Sequence, residues 1–134
     1  MPATTHPTTT HPAMTPRVKA DAGLAALASR YVDVATVAWT PSRHQGVDMK
    51  VLMEDKSTGL LTALVRFQPG AKLPDHEHTA IEQSYVLDGS LVDDEGSCTA
   101  GNFVWRPAGS RHDAHAPNGA LVLAFFLKPN KFFD

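Results

Sequence analysis

Beyond residue 46 the chain consists of short apolar segments separated by turn residues, and the first of these segments alternates apolar and polar side chains with a period of two. Residues 47–54 follow the pattern V-x-M-x-V-x-M, which is typical of a β-strand that buries one face. Short segments rich in β-branched and aromatic residues follow at intervals of roughly ten residues. The strands predicted in this way are Val47–Glu54, Leu60–Gln68, Leu73–His78, Glu82–Leu87, Leu91–Asp94, Asn102–Arg106, Arg111–Ala116 and Ala120–Leu127. Their spacing predicts an all-β sandwich or barrel.

Turn residues separate these segments, and no helical period interrupts them. The predicted turns are Ser57-Thr58-Gly59, Pro69-Gly70, Asp88-Gly89, Glu95-Gly96, Ala100-Gly101, Pro107-Ala108-Gly109 and Pro117-Asn118-Gly119. Because no stretch after Arg30 could form a crossover helix, the strands should pair in an antiparallel way. A jelly-roll barrel is the compact arrangement of about eight such strands.

The N-terminal part of the chain has a different composition. Residues 1–16 are mostly Thr, Pro and His, which cannot bury enough apolar surface to offset the entropy of ordering, so we predict a disordered tail there. The Ala- and Leu-rich stretch Ala22–Arg30 predicts a short helix, and we interpret the apolar run Tyr31–Trp39 as a lid or an edge addition. Residues 17–134 are long enough for one domain and too short for two.

Charge and cysteine content exclude several function classes. A net charge of -2, with 19% charged residues, gives no basic field to attract nucleic acid or anionic lipid. The single cysteine, Cys98, allows neither an internal disulfide nor a thiolate-rich zinc site, and it favours a reducing cytoplasm. No secretory signal is evident and no apolar run approaches the roughly 20 residues of a membrane span. We therefore expect a soluble cytoplasmic protein.

Three histidines and one glutamate have spacings that suit a metal site. His76 and His78 lie two apart on a predicted strand, so both side chains leave the same face of the sheet. Glu82 begins the next strand, and it would return beside the imidazoles if these two strands formed a hairpin. His112 begins another strand after a Pro-Ala-Gly turn. Three imidazoles and a carboxylate suit Fe(II), Mn(II), Ni(II), Co(II) or Zn(II), and they leave coordination positions open for a substrate.

The other histidines and acidic neighbours are assigned no role in this site. By strand alternation Glu77 and His115 should face away from the ion, and His44 lies in a polar loop where we expect it to be solvated. His6 and His11 are in the tail, where binding would have to order a flexible chain. By the same alternation, we expect the small residues Ser84 and Ala114 to line a pocket beside the metal.

Arginines and aromatic residues offer further candidates. Arg66, Arg106 and Arg111 could anchor an anionic or enolate substrate, but we favour solvated or interface positions for them. We interpret Phe103, Trp105, Phe125 and Phe126 as core or interface residues rather than as a substrate-stacking box. The C-terminal run LVLAFFLKPNKFFD is apolar on both faces up to Leu127, which indicates a second buried surface.

Residues around the predicted metal ligands resemble the first signature motif of the cupin superfamily. That motif reads Gly, five residues, His, one residue, His, three or four residues, Glu, six residues, Gly. Gly70, His76, His78, Glu82 and Gly89 match it at every position.

A second segment is similar to the other cupin motif, which reads Gly, five residues, Pro, one residue, Gly, two residues, His, three residues, Asn. Gly101, Pro107, Gly109 and His112 match it, and Ala116 stands where the motif has Asn. That Asn is not a metal ligand in cupins. The resemblance therefore implies a single cupin barrel, with core motifs at residues 70–116, that holds one divalent metal ion through His76, His78, Glu82 and His112.

Within the cupins, residues 74–117 resemble a subgroup that includes the cupin domain of a zinc-binding anti-sigma factor and small iron dioxygenases. This resemblance implies a mononuclear Fe(II) dioxygenase that cleaves a carbon–carbon bond in a small diketone or hydroxyketone. The alternatives are a non-catalytic zinc-binding sensory or regulatory module, or a metal-dependent isomerase of a small polar substrate. Cupins commonly dimerise, so a homodimer is also expected.

Overall fold

A computed structural model describes residues 27–133, and the boundary between two structural units lies between Val37 and Ala38. In residues 27–37 the regular element is a short 3-10 helix, Val34–Thr36, whose first turn is capped by the Asp33 carboxylate. The predicted helix Ala22–Arg30 is not borne out over Leu27–Arg30, which form a turn and irregular backbone. Its earlier residues and the predicted tail lie outside the described part of the chain.

The second unit is all-β and confirms the predicted fold class. Its ten strands are β1 (Thr40–Pro41), β2 (Val47–Asp55), β3 (Leu60–Phe67), β4 (Ala71–Glu77), β5 (Glu82–Asp93), β6 (Gly96–Thr99), β7 (Phe103–Arg106), β8 (Arg111–Ala116), β9 (Ala120–Phe126) and β10 (Lys131–Phe132). Every pairing between them is antiparallel. No helix in residues 27–133 is long and apolar enough to cross a membrane.

The strands form two sheets that share one strand and curl into a jelly-roll barrel. The first sheet has the order β1-β2-β3-β9-β5-β7, and the second has the order β10-β4-β8-β5-β6. The inward faces meet in a core of small and β-branched side chains, because the alternation of the sequence turns those positions inside. The buried core residues are Val47, Ala63, Val65, Phe67, Ala71, Val86, Ala116, Ala120, Val122 and Ala124.

The shared strand β5 corrects one prediction. The sequence predicted two strands, Glu82–Leu87 and Leu91–Asp94, with a turn at Asp88-Gly89, but the structure has one continuous strand. A bulge between Val86 and Asp88 bends it, and Gly89 follows with a positive φ of 71°. The Asp-Gly pair therefore turns the strand from the first sheet into the second without ending it.

A second bulge sets the direction of the side chains on β4. Leu73 pairs with Ala114 of β8 and His76 pairs with His112, so one extra residue of β4 lies between the two pairs. Pro74 is accommodated there, where a missing backbone N–H does little harm. Because the bulge shifts the alternation by one, Leu73 and His76 both line the barrel interior although they are three residues apart.

The outer face of the first sheet is apolar and open to solvent. Tyr85 pairs with Phe103, and Gln83 lies between Trp105 and Phe125. Trp105 is 60% exposed and Phe103 is 49% exposed. The C-terminal run indicated a second buried surface, but in the single chain this face is exposed, with Phe125 of that run 38% accessible to solvent.

Candidate metal centre

Three of the four predicted ligands meet at one point inside the barrel. His76 lies near the end of β4, His78 directly follows that strand, and His112 lies on β8. One ring nitrogen from each can be chosen so that all three lie within 4.8 Å of one another. His76 and His78 are only 2% and 1% exposed. Neutral imidazoles converging in this way are typical of a transition-metal site.

The turn of the second motif fixes the backbone of His78. The His78 N–H donates to the Ser110 carbonyl at 2.8 Å, and the Gly109 N–H donates to the His78 carbonyl at 2.7 Å. His78 is thereby tied to the start of β8, which carries His112. The two motifs therefore meet through the backbone as well as through His78 and His112, which are 34 residues apart in sequence.

Neighbouring acceptors determine which nitrogen of two of these rings is free. Nδ1 of His76 lies 2.8 Å from the Pro74 carbonyl oxygen, and Nδ1 of His112 lies 2.8 Å from Oδ2 of Asp93. Both acceptors require a proton on Nδ1, so Nε2 of each neutral ring keeps its lone pair. Such outer contacts commonly orient metal-binding histidines.

The contacts of His78 fit a bound cation. Its Nε2 lies 2.9 Å from Nε2 of His112, so His78 has to supply the proton between them if no ion is present. Its Nδ1 lies 2.7 Å from Oε2 of Glu82, yet this buried nitrogen makes no hydrogen bond. Buried imidazole nitrogens and a carboxylate oxygen that lie this close together, with one nitrogen left without a hydrogen-bond partner, form a donor set that fits a divalent metal ion.

Glu82 was expected to reach the histidines through a hairpin between its strand and that of His78, and this part of the prediction is wrong. β4 pairs with β8 and β10, whereas the first half of β5 pairs with β7 and β9. The chain crosses from one sheet to the other between the two residues. The Glu82 carboxylate still arrives beside His78 because the sheets face each other across the barrel.

Asp93 is the residue of this centre that sequence reasoning missed. It ends β5, and its side chain is only 4% exposed. Burial would raise the pKa of the Asp93 carboxyl, but the contact with His112, a backbone hydrogen bond from Glu95 and the charge of Arg106 together hold it below its usual value. A search for a carboxylate partner for each predicted histidine ligand could have found it.

Arg106 is placed differently from the solvated or interface position that we favoured. Its guanidinium forms ion pairs with Asp93 and Glu95, and it lines the barrel cavity. Arg66 and Arg111 do lie at the surface, where they pair with Asp48 and Asp75 respectively. The hydrogen bond from Arg111 lowers the pKa of the Asp75 carboxyl.

A cavity of about 390 Å³ lies beside the histidines. Ser84 and Ala114 line it, as strand alternation predicted, and Glu77 and His115 do not. The rest of its wall is largely apolar, with residues such as Phe67. A cavity of this size and character suits a small organic ligand with few polar groups.

The C-terminal segment covers the outer side of the centre. β10 pairs with β4 at Glu77 and His76, and the Phe132 ring lies 5.0 Å from that of His76. Phe132 also packs 4.5 Å from His44, which is therefore not the fully solvated residue that the sequence suggested. Asn130 donates to Oε2 of Glu82 at 3.3 Å.

Burial also shifts two other titratable groups at the cavity. Desolvation lowers the pKa of His76 below its ordinary value, although the hydrogen bond to the Pro74 carbonyl opposes the shift. Desolvation raises the pKa of the Cys98 thiol, against the nearby charge of Arg106. His76 is thus held in the neutral form that a metal ligand requires.

Solved structures with the same fold include two relatives that cover most of the chain. A putative acetylacetone dioxygenase from Methylibium petroleiphilum is 21% identical, with a TM-score of 0.74 over 81% of this chain and 83% of that one. An acetylacetone dioxygenase from Acinetobacter johnsonii is 19% identical, with a TM-score of 0.70 over 80% and 79% of the two chains.

A third similar structure is Rhodobacter sphaeroides SigE in complex with the anti-sigma ChrR. It is 24% identical, with a TM-score of 0.60 over 68% of this chain and 50% of that one. No curated protein sequence gave a match. The family model of the ChrR cupin-like domain matches residues 27–131, which include both motifs and all the residues of the centre. The chain therefore belongs to the ChrR cupin-like domain family.

Proposed function

We propose that the protein binds one divalent metal ion through His76, His78, His112 and Glu82. The observation that carries this proposal is the convergence of three imidazoles beside a carboxylate, with a buried His78 nitrogen that has no hydrogen bond. The three histidines would supply neutral nitrogen ligands. Glu82 would turn from its contact with His78 to become a fourth ligand, which would leave positions open for a substrate.

The activity that this centre supports best is that of an Fe(II) dioxygenase that cleaves a carbon–carbon bond in a small diketone or hydroxyketone. The site adjoins a cavity large enough for such a molecule, and two structures of the same fold are named as acetylacetone dioxygenases, one of them putative. The support for this activity comes from the cavity and its donor set, and the two structures show only that the fold is shared.

The residues of the cavity would perform three tasks in this reaction. A bound Fe(II) would supply Lewis acidity and redox chemistry. His76 and His112 would keep their Nε2 lone pairs directed inward because their Nδ1 protons are engaged elsewhere. Apolar side chains such as Phe67 and Leu73 would exclude water and hold the hydrocarbon parts of the substrate. Ser84, which lies 3.5 Å from Glu82, would offer a hydroxyl to a substrate oxygen.

Oxygen consumption tests this proposal directly. The purified protein is stripped of metal, reloaded with Fe(II) and mixed with acetylacetone or a hydroxyketone in an oxygen-electrode cell. We expect oxygen uptake that requires both the ion and the ketone. The matched control is the same protein loaded with Zn(II), which lacks redox chemistry and should consume none. If the protein binds Fe(II) stoichiometrically but consumes no oxygen with a series of small diketones and hydroxyketones, the dioxygenase proposal is refuted.

The second candidate function is a zinc-binding sensory or regulatory module. Two observations favour it: the family match is to the ChrR cupin-like domain, and a similar structure is the anti-sigma ChrR in complex with SigE. This chain, however, spans only half the length of that ChrR chain. Tight Zn(II) binding, a measurable change of conformation on binding and no oxygen uptake would together support this candidate over the enzyme.

We also propose that two copies pair through the outer face of the first sheet. The exposed aromatic side chains Tyr85, Phe103, Trp105 and Phe125 lie together on that face. Contiguous apolar surface of this kind is costly to leave in water, and aromatic residues are enriched where proteins associate.

A further inference from the structure

The carboxylate of Asp93 is held in place through both of its oxygens. Oδ1 accepts the backbone N–H groups of Glu95 at 2.9 Å and Gly96 at 3.1 Å, in the turn between β5 and β6. Oδ2 accepts from Arg106 and contacts Nδ1 of His112. The group is buried, and the strand end, the turn and the neighbouring arginine together leave it little freedom to move.

Arg106 forms an ion pair with this buried carboxylate. Its Nη2 pairs with Oδ2 of Asp93, and its Nη1 lies 3.4 Å from Oε1 of Glu95. Both ends of the guanidinium fork are therefore occupied by acidic groups of this chain. Both oxygens of Asp93 already act as acceptors, Oδ1 from two backbone N–H groups and Oδ2 from the guanidinium, so the proton between Asp93 and His112 is assigned to Nδ1 of the imidazole.

We propose that Asp93 is a positioning residue of the metal centre and that Arg106 supports it. Asp93 fixes His112 in the tautomer with the proton on Nδ1, which leaves the Nε2 lone pair directed at the ion and holds the ring at the required angle. The opposite tautomer would place a proton on Nε2 and prevent coordination. This inference rests on the metal site proposed above.

Substitution of Asp93 measures its effect on metal affinity. In Asp93→Asn the side chain keeps its size but loses the charge that requires a proton on His112 Nδ1. We expect the affinity for Zn(II), measured by competition with a chromophoric chelator, to fall roughly 10- to 100-fold. The control is Asp113→Asn, which removes the same charge next to His112 in sequence but from an exposed position outside the cavity. Its affinity should stay at the wild-type value.

A spectroscopic measurement separates positioning from a merely structural role. Two-bond ¹H–¹⁵N NMR spectra of the metal-free wild-type protein report the tautomer of each histidine. We expect His112 to carry its proton on Nδ1 in the wild type, and to populate the Nε2-protonated form in Asp93→Asn. The wild-type spectrum decides the question even where Asp93→Asn does not fold.

The outcomes distinguish this inference from the proposed site. An Nε2-protonated His112 in the wild type, or equal Zn(II) affinities in Asp93→Asn and Asp113→Asn, would overturn the role of Asp93 and leave the metal site standing. A wild-type protein that binds no Zn(II) would contradict the metal site itself. Neither readout requires oxygen uptake, so a failure of the dioxygenase proposal would not be mistaken for either result.

Discussion

Gly89 allows β5 to pass from one sheet to the other, and replacing it with alanine should damage the barrel severely. The residue has a φ of +71°, a backbone conformation that residues with a side chain rarely adopt. A Cβ added there would lie 2.0 Å from the Gly119 carbonyl oxygen and 2.9 Å from Cα of Ala120. These are backbone atoms of the adjacent turn and of β9, so no rotation of a side chain could relieve the overlap.

Gly70 offers a matched control because it shares the conformation without the close approach. Its φ is +83°, and apart from its two chain neighbours no residue has a heavy atom within 4 Å of an added Cβ. Gly70→Ala should therefore cost only the backbone strain, about 1–2 kcal/mol. Gly89→Ala adds overpacking, about 1–3 kcal/mol, and weakens the 3.1 Å hydrogen bond from Ser90 N–H to the Gly119 carbonyl, about 1 kcal/mol. We expect a total loss of about 3–6 kcal/mol of unfolding free energy for Gly89→Ala.

Urea unfolding followed by tryptophan fluorescence measures both losses, since Trp39 and Trp105 lie in the second unit. The quantity of interest is the difference between the two variants in metal-free protein. A Gly89→Ala variant that does not fold, beside a Gly70→Ala variant that does, agrees with the upper part of the range. Losses equal to within about 0.5 kcal/mol would refute the reasoning, because strain alone would then explain both.

Three other measurements follow from the structure. His76→Ala should abolish stoichiometric metal binding, whereas His115→Ala should keep it because His115 is absent from the cavity wall. Elemental analysis measures the metal content of both variants, and full metal occupancy in His76→Ala would contradict the ligand assignment. The pKa of His76 is lowered in the folded state, so the contribution of neutral His76 to the stability of the metal-free protein should be fully present above pH 6.5, its pKa in the unfolded chain, and should decline as the pH falls through that value. Urea unfolding midpoints that do not change between about pH 7.5 and 5.5 would argue against this. Trp105→Glu should convert a sedimenting dimer to a monomer, whereas a wild-type protein that sediments only at 14.4 kDa would remove the proposed interface.

Alternation and turn chemistry were sufficient to predict most of the strands. β8 has the predicted bounds, and β2, β3, β7 and β9 differ from theirs by one residue at one end. The two-residue strands β1 and β10 were missed because a pattern of two residues has no period. The short edge strand β6 was missed because Gly96–Thr99 is polar and small, so only its pairing with β5 identifies it.

The site was predictable as far as local spacing could reach. Strand alternation correctly predicted that the side chains of His76 and His78 leave the same face of the sheet. It could not predict the bulge at Pro74, which determines which other residues of β4 share that face. The positions of Glu82 and Asp93 depend on how the two sheets face each other. That arrangement is fixed by contacts between residues far apart in sequence, which a local pattern cannot report.

The path of β5 has a consequence for how the protein would respond to an ion. A straight strand of its 12 residues would span about 36 Å, yet Glu82 at its start and Asp93 at its end both contact histidines of one small cluster. The strand therefore curves around the centre, with Glu82 at one end beside His78 and Asp93 at the other end beside His112. Metal binding should therefore slow amide hydrogen exchange at both ends of this strand together, and slow it in β7 and β6, which lie on different sheets.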